Sequence, residues 1–320
     1  MREEEYAYAV AYTKTIENKM ISQKDLETLL RYETMQEALK FLRDRGFGGE
    51  AQTVEGMLQK ELETAWQVVY AVCGKEGALD ILLYSNDFHN LKTILKAVMS
   101  DVSWENLVLR PCIAVPEKIY EAVLHARFEG LPDFLREPAR DAYRLISETN
   151  DGQLTEILLD KALYKAMRAR AEQIGSPFLA QWVECNIVLA DFKTAVRGAF
   201  AKKDKAFLEN AMIPSDTVNT DRLAAAAAEG PEAVSQLLEA LEPEAAEALG
   251  HSFDAFEKWC DNQRMALLRA EKNRFFGIEP ILAFLLGKQA EIQAVRMILA
   301  GKENHVPMEI IQERLRDMYV

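Results

Sequence analysis

Chemistry in a folded chain needs particular residue types within reach of one another, and this sequence offers few. Three Gly-Lys pairs occur, Gly74-Lys75, Gly287-Lys288 and Gly301-Lys302, but none precedes Ser or Thr and none closes a glycine-rich loop. Nothing in the chain therefore reads as a cradle for nucleotide phosphate. No G-x-G-x-x-G and no G-x-S-x-G is present,. His89, His125, His251 and His305 lack an H-E-x-x-H relation, and Glu121 with His125 is a lone i, i+4 pair. That is too little for zinc or a di-iron centre. Acidic pairs such as Asp25/Glu27 and Glu242/Glu244 read as solvated helix faces rather than acid/base dyads. The sequence predicts no catalytic residue, no metal site, no cofactor and no small-molecule substrate.

What does recur is a cation in a helical setting. Asn90-Leu91-Lys92-Thr93-Ile94-Leu95-Lys96, Asp191-Phe192-Lys193-Thr194-Ala195-Val196-Arg197 and Ala294-Val295-Arg296-Met297-Ile298-Leu299-Ala300 read as variants of one stretch, about a hundred residues apart,. Each puts an apolar residue before Lys92, Lys193 or Arg296, and Lys96 and Arg197 follow one turn later in two of them. Two accounts stand open. The cations make ion pairs or helix-end contacts inside each copy, or three like units present equivalent cations to one central object. On the second account Asn90, Lys92, Lys96, Lys193, Arg197 and Arg296 are partner-binding residues. Asp87 and Glu291, five residues before their cations, stand just off ideal helical pairing,.

The elements that must position these residues also repeat. Leu62, Ala65 and Trp66 open one helical seam; about 97 residues on stand Leu159, Ala162 and Leu163, and a further step gives Phe256, Trp259 and Cys260,. Upstream of each lie two shorter helical patterns, beginning at Ser22, Pro116 and Ser215. Ser22 and Ser215 suit N-caps, and Pro116 suits a first helical turn. Gly46-Phe47-Gly48-Gly49, Asp151-Gly152 and Glu229-Gly230-Pro231 supply breaks,. Sustained period-2 alternation is absent, and the least helical stretch, Leu107 to Pro116, carries two prolines and reads as an extended linker,. The expectation is an all-α chain of three similar helical repeats, 1–106, 107–214 and 215–320.

Bulk properties set the class of partner. With 49% hydrophobic and 28% charged residues the chain buries a core,. Its net charge of -13 argues against nucleic acid and against broad adhesion to an anionic membrane,. Cys73, Cys112, Cys185 and Cys260 are scattered, as expected of reduced thiols in a cytosolic protein,. No apolar core follows Met1-Arg2-Glu3-Glu4-Glu5, so a signal peptide is not expected,. The longest apolar run, Ile278 to Gly287, is interrupted by Glu279 and Pro280 and is far shorter than the roughly 20 residues a bilayer needs,.

The carboxyl end is the most distinctive part. Phe276-Gly277-Ile278-Glu279-Pro280 leads to Glu291-Ile292-Gln293-Ala294-Val295-Arg296-Met297-Ile298, and the chain closes with Arg314-Leu315-Arg316-Asp317-Met318-Tyr319-Val320. Near the other end stand Tyr6-Ala7-Tyr8-Ala9-Val10-Ala11, Ser22 with Asp25-Leu26, and Asp87-Phe88-His89-Asn90-Leu91-Lys92. These segments resemble the C subunits of prokaryotic V-type (A/V-type) ATPases, relatives of the eukaryotic V-ATPase d subunits. The middle copy departs from the pattern: Val188 stands where Asp87 stands, and Asp191 where Asn90 stands. The resemblance implies three helical units around a pseudo-threefold axis, forming a funnel. It implies a non-catalytic rotor adaptor, cytoplasmic and peripheral to the membrane without inserting into it. Such a part sockets the central axle, made of the D and F subunits, onto the membrane rotor ring and transmits torque for ion transport or ATP synthesis. Apart from the resemblance, the residues also fit a generic helical-repeat scaffold for other cytosolic partners. An all-helical enzyme would need a convergent ionisable set that the spacing does not provide.

Overall fold

The computed structural model describes residues 3–73, 77 and 79–320, with side chains from residue 6 onward. The Gly74-Lys75 pair and the first two residues of the Met1-to-Glu5 opening lie outside the described residues. Among the described residues every regular element is helical, so the chain is all-α as the periodicity predicts. In chain order the first helices are α1 (Glu3–Glu17), α2 (Gln23–Arg31), α3 (Met35–Asp44) and α4 (Val54–Cys73). After a short 3-10 turn (Asp80–Leu83) come α5 (Tyr84–Ser100), α6 (Pro116–Leu124), α7 (Asp133–Thr149), α8 (Gly152–Ile174) and α9 (Pro177–Phe200). The rest are α10 (Lys205–Ala211), α11 (Thr220–Glu229), α12 (Pro231–Leu241), α13 (Pro243–His251), α14 (Phe253–Glu271), α15 (Glu279–Glu303) and α16 (Met308–Arg314). Residues 1–76 with 235–320 form one compact unit and 77–234 another.

In the first unit α15 is the central member. Ile281, Leu282, Ala283, Phe284 and Leu285 are five consecutive residues with no exposure, which one helix face cannot supply. A helix apolar on every side has to be covered on every side. α1, α4 and α14 pack along it, and the apolar faces of α2, α3 and α16 close over its later turns. Local signals start these helices where the sequence places them. Ser22 and Asp25 form a reciprocal capping box on α2, and Thr34 and Glu37 another on α3,. The chain end returns to α15 because glycines make room: a Cβ on Gly287 would stand 2.5 Å from Tyr319 Cγ and 2.8 Å from its Cβ. Tyr319 is 1% exposed and its hydroxyl donates to Glu17 over 3.1 Å. Gly287→Ala should therefore lift the carboxyl-terminal segment, costing about 1–3 kcal/mol as an overpacking change. Limited proteolysis of residues 315–320 checks it, since Gly287→Ala should be trimmed faster than the parent.

In the second unit α5, α7, α8 and α9 are the long members; α7 packs on α5 and α8, α6 on α5, and α10 and α11 on α9. Asp151 caps α8 by accepting from the Leu154 N–H at 2.9 Å, and Gly175 at φ +72° ends it,. Ser176 and Pro177 start α9 at once. The three seams read from the sequence lie on α4, α8 and α14, with buried Trp66, Leu163 and Cys260 at matching positions. The cation stretches lie on the following long helices α5, α9 and α15.

Three local expectations are corrected. α7 is a long helix rather than a short one, because Leu135, Ala139, Ala142 and Ile146 form a buried stripe that carries it past Pro138. The third copy has an additional helix, α13, between its short helices and α14. Ser215 does not cap a helix: its hydroxyl donates to Glu184, and Asn219 caps α11 instead.

Candidate functional site

On α5, four side chains within five positions hold the extended linker that the sequence places after residue 106. Asn86 donates to the Pro111 carbonyl, His89 Nε2 meets the Leu107 carbonyl, and Asn90 both donates to the Leu109 carbonyl and accepts its N–H. Asp87, with no exposure, accepts from the N–H groups of Ile113 (3.0 Å) and Ala114 (2.7 Å). Among the described residues the linker has no strand partner, so these side chains take the role a neighbouring strand would play,.

The same arrangement appears on α9 with one carboxylate. Asp191, also without exposure, accepts from the Ile213 N–H at 2.9 Å, and its Oδ2 is buried with no hydrogen-bond partner among the described residues. Earlier on the same helix, Glu184 gathers the Ser215 and Thr217 hydroxyls, the Asp216 and Thr217 N–H groups and the Arg168 guanidinium. Burial works against the charge of Glu184, but these donors outweigh it and hold its carboxyl at about 2,.

On α15 the carboxylate is Glu291, which accepts from the Ile21 N–H at 3.1 Å. It shares Lys288, on its own helix, with Glu61 of α4, and Glu61 in turn accepts from the Gly48 N–H at 2.7 Å. The Gly287-Lys288 pair thus serves helix packing and a buried ion cluster. Lys302 of Gly301-Lys302 likewise donates to the Leu30 and Tyr32 carbonyls. Burial pushes Asp87, Asp191 and Glu291 each up to about 7, against the pull of their donors and, for Glu291, of Lys288,.

The six candidate partner-binding residues lie on three helices: Asn90, Lys92 and Lys96 on α5, Lys193 and Arg197 on α9, and Arg296 on α15. Lys92 pairs with Asp160 and Lys96 with Glu156, both on α8, while Arg296 forks onto Glu55 of α4 through two 2.8 Å bonds. Lys96, Arg197 and Arg296 are exposed; Lys92 and Lys193 are half-buried. Asn90 is wholly buried and is committed to the linker backbone. Exposed pairs of this kind contribute about 0–1 kcal/mol each, so their stabilising value is small.

The sequence flags Asp87, Asp191 and Glu291 only as neighbours of the cations. It leaves unmarked the backbone they hold, yet a signal is present: Met20-Ile21-Ser22, Cys112-Ile113-Ala114-Val115-Pro116 and Met212-Ile213-Pro214-Ser215 recur about a hundred residues apart. In each, the isoleucine N–H is the group a buried carboxylate accepts from.

Comparison with known proteins places this helical frame. Residues 9–314 match the family described as ATP synthase (C/AC39) subunit. The chain belongs to that family. The C subunit of a V-type sodium ATPase from Enterococcus hirae is 25% identical over 239 residues, covering 72% of this chain and 72% of the relative. The C subunit of a V-type ATP synthase from Thermus thermophilus is 24% identical over 204 residues, 57% of this chain and 63% of the relative, so under two thirds of that protein is spanned. Family membership makes the chain a non-catalytic, peripheral component of a V-type ATPase complex, and its partners are other components of that complex. No helix among the described residues is long and apolar enough to cross a membrane.

Proposed function

We propose that the chain is the rotor adaptor of a V-type ATPase, receiving the central axle of D and F subunits and seating it on the proteolipid rotor ring at the cytoplasmic face. The observation that carries the reading is the family match over residues 9–314, which takes in the seams, the cation helices and the segment from Phe276 to Ile298, and reaches the first residue of the closing motif. We divide the adaptor into three helical units, 1–106, 107–214 and 215–320. The recurrence of cation, seam and buried carboxylate in each supports that division.

The physical demands of the role fit such a build. Moving one charge against 100 mV takes about 2.3 kcal/mol, so a coupler between head and ring is loaded at every step. Close-packed helices transmit strain with little compression. An axle tip of few helices meeting a many-membered ring favours polar contacts at several places over one tight pocket. The cations of α5, α9 and α15 suit those contacts.

Pull-down of purified D–F pair and of detergent-solubilised ring by the purified chain tests the reading, and binding to neither at low and moderate salt overturns it. Within that assay, Lys92→Glu, Lys193→Glu and Arg296→Glu together should weaken capture at least tenfold. They should lower the melting temperature by only a few degrees, because the pairs they break are exposed or half-buried,. The reverse ranking would return these residues to a purely structural role.

A further inference from the structure

We infer that Asp87, Asp191 and Glu291 are one latch used three times, each fixing the backbone that leads into the following helical unit, with the third unit's helix fixing the lead-in to the first. The inference rests on the three-unit division proposed above. The geometry that points to it is a shared set of particulars. Each acid has no exposure and lies on the long helix that also carries the repeated cation. Each accepts from the N–H of an isoleucine: Ile113 three residues before α6, Ile213 seven before α11, and Ile21 two before α2.

Burying a carboxylate among residues such as Phe88, Phe192 and Ile292 is unfavourable, and chance does not repeat an unfavourable feature at equivalent places,. The middle copy strengthens the point. Val188 occupies the Asp87 position, yet a carboxylate is still supplied from the Asn90 position, and it reaches the same kind of N–H. The bond is kept while its residue has moved by three places along the helix. The covalent chain already joins the first unit to the second and the second to the third. The bond from Glu291 to Ile21 adds the remaining link, between residues 270 apart in sequence. Displacement of one lead-in is therefore resisted by the long helix of the unit before it, in cyclic order.

Amide hydrogen exchange of the full chain, read residue by residue, tests this without any partner. In the parent protein the N–H groups of Ile21, Ile113 and Ile213 should be protected to the level of the α5, α9 and α15 interiors. Exchange at the rate of an exposed loop at any of the three would overturn the latch, whatever the variants do. Glu291→Ala should speed exchange at Ile21, Asp191→Ala at Ile213, and Asp87→Ala at Ile113 and Ala114, each at least tenfold more than at the other two lead-ins. A folded Glu291→Ala protein with Ile21 still protected, or one loosened evenly throughout, would also overturn it. Loss of D–F or ring capture with the exchange pattern intact would instead remove the adaptor reading and leave the latch standing.

Discussion

Glu291→Ala should be strongly destabilising, lowering the melting temperature by on the order of 10 °C. Its carboxylate is fully buried, holds the Ile21 N–H and shares Lys288 with Glu61. Removing one member of a buried ion cluster leaves the others short of a partner in a medium that solvates them poorly. Such losses run to about 3–5 kcal/mol, and for a compact unit the size of residues 1–76 with 235–320 each kcal/mol moves the midpoint by roughly 2–4 °C,. Glu291→Gln keeps an acceptor for Ile21 in the uncharged form that burial favours, and should stay closer to the parent than Glu291→Ala,. Arg296→Ala, five residues along the same helix, breaks only an exposed pair and should change the midpoint by a degree or two,. Calorimetry on the three variants decides it: equal midpoints for Glu291→Ala and the parent would mean the cluster does not stabilise the fold.

Thermal stability should fall as pH rises from about 5 to 8. Burial pushes Asp87, Asp191 and Glu291 up to about 7, whereas in the unfolded chain such groups titrate near 4,. Below about 4 both states hold the proton and these groups contribute nothing to the pH slope. Between about 4 and 7 the folded state keeps protons that the unfolded state has lost, so raising pH withdraws stability across that window. Charged neighbours do not cancel the effect. Asp87 faces the N–H donors of Ile113 and Ala114, with Tyr84 and Cys112 beside it. Asp191 faces Lys161 and Arg168 from α8 and Glu184 from its own helix. Glu291 faces Lys288, offset by Glu61.

Glu184 works the other way. Held at about 2, it stabilises above its unfolded value near 4.5, and that contribution is lost as pH drops toward 2,. The two effects together put the optimum near pH 5. Each unit of displacement is worth about 1.4 kcal/mol, so a single member of the three outweighs an exposed salt bridge. Asp87→Asn with Asp191→Asn should flatten the decline between pH 5 and 8. A melting temperature that climbs through that range in the parent would refute the assignment.

Much of the frame is legible in residue order. The seams at Leu62, Leu159 and Phe256, the capping box at Ser22 and Asp25, and Pro116 at the start of α6 are all local signals, and helices form where local signals agree,. Order along the chain misleads where a distant group competes. Ser215 has the right type for a cap, but Glu184, 31 residues earlier, takes its hydroxyl. A second short helix is the expectation for the middle copy, but the buried stripe of α7 carries that helix past Pro138. The cations stand out because charge recurs visibly at the surface.

By itself, then, the sequence determined an all-helical chain with thrice-repeated segments and the family to which it belongs. Helix period, capping chemistry and motif spacing are properties of neighbours along the chain. Only the tertiary structure decided which ionisable residues matter most to it. Whether Asp87, Asp191 and Glu291 meet water or a backbone N–H depends on which remote segment covers them. An isoleucine amide looks the same in every sequence until folding brings a carboxylate to it.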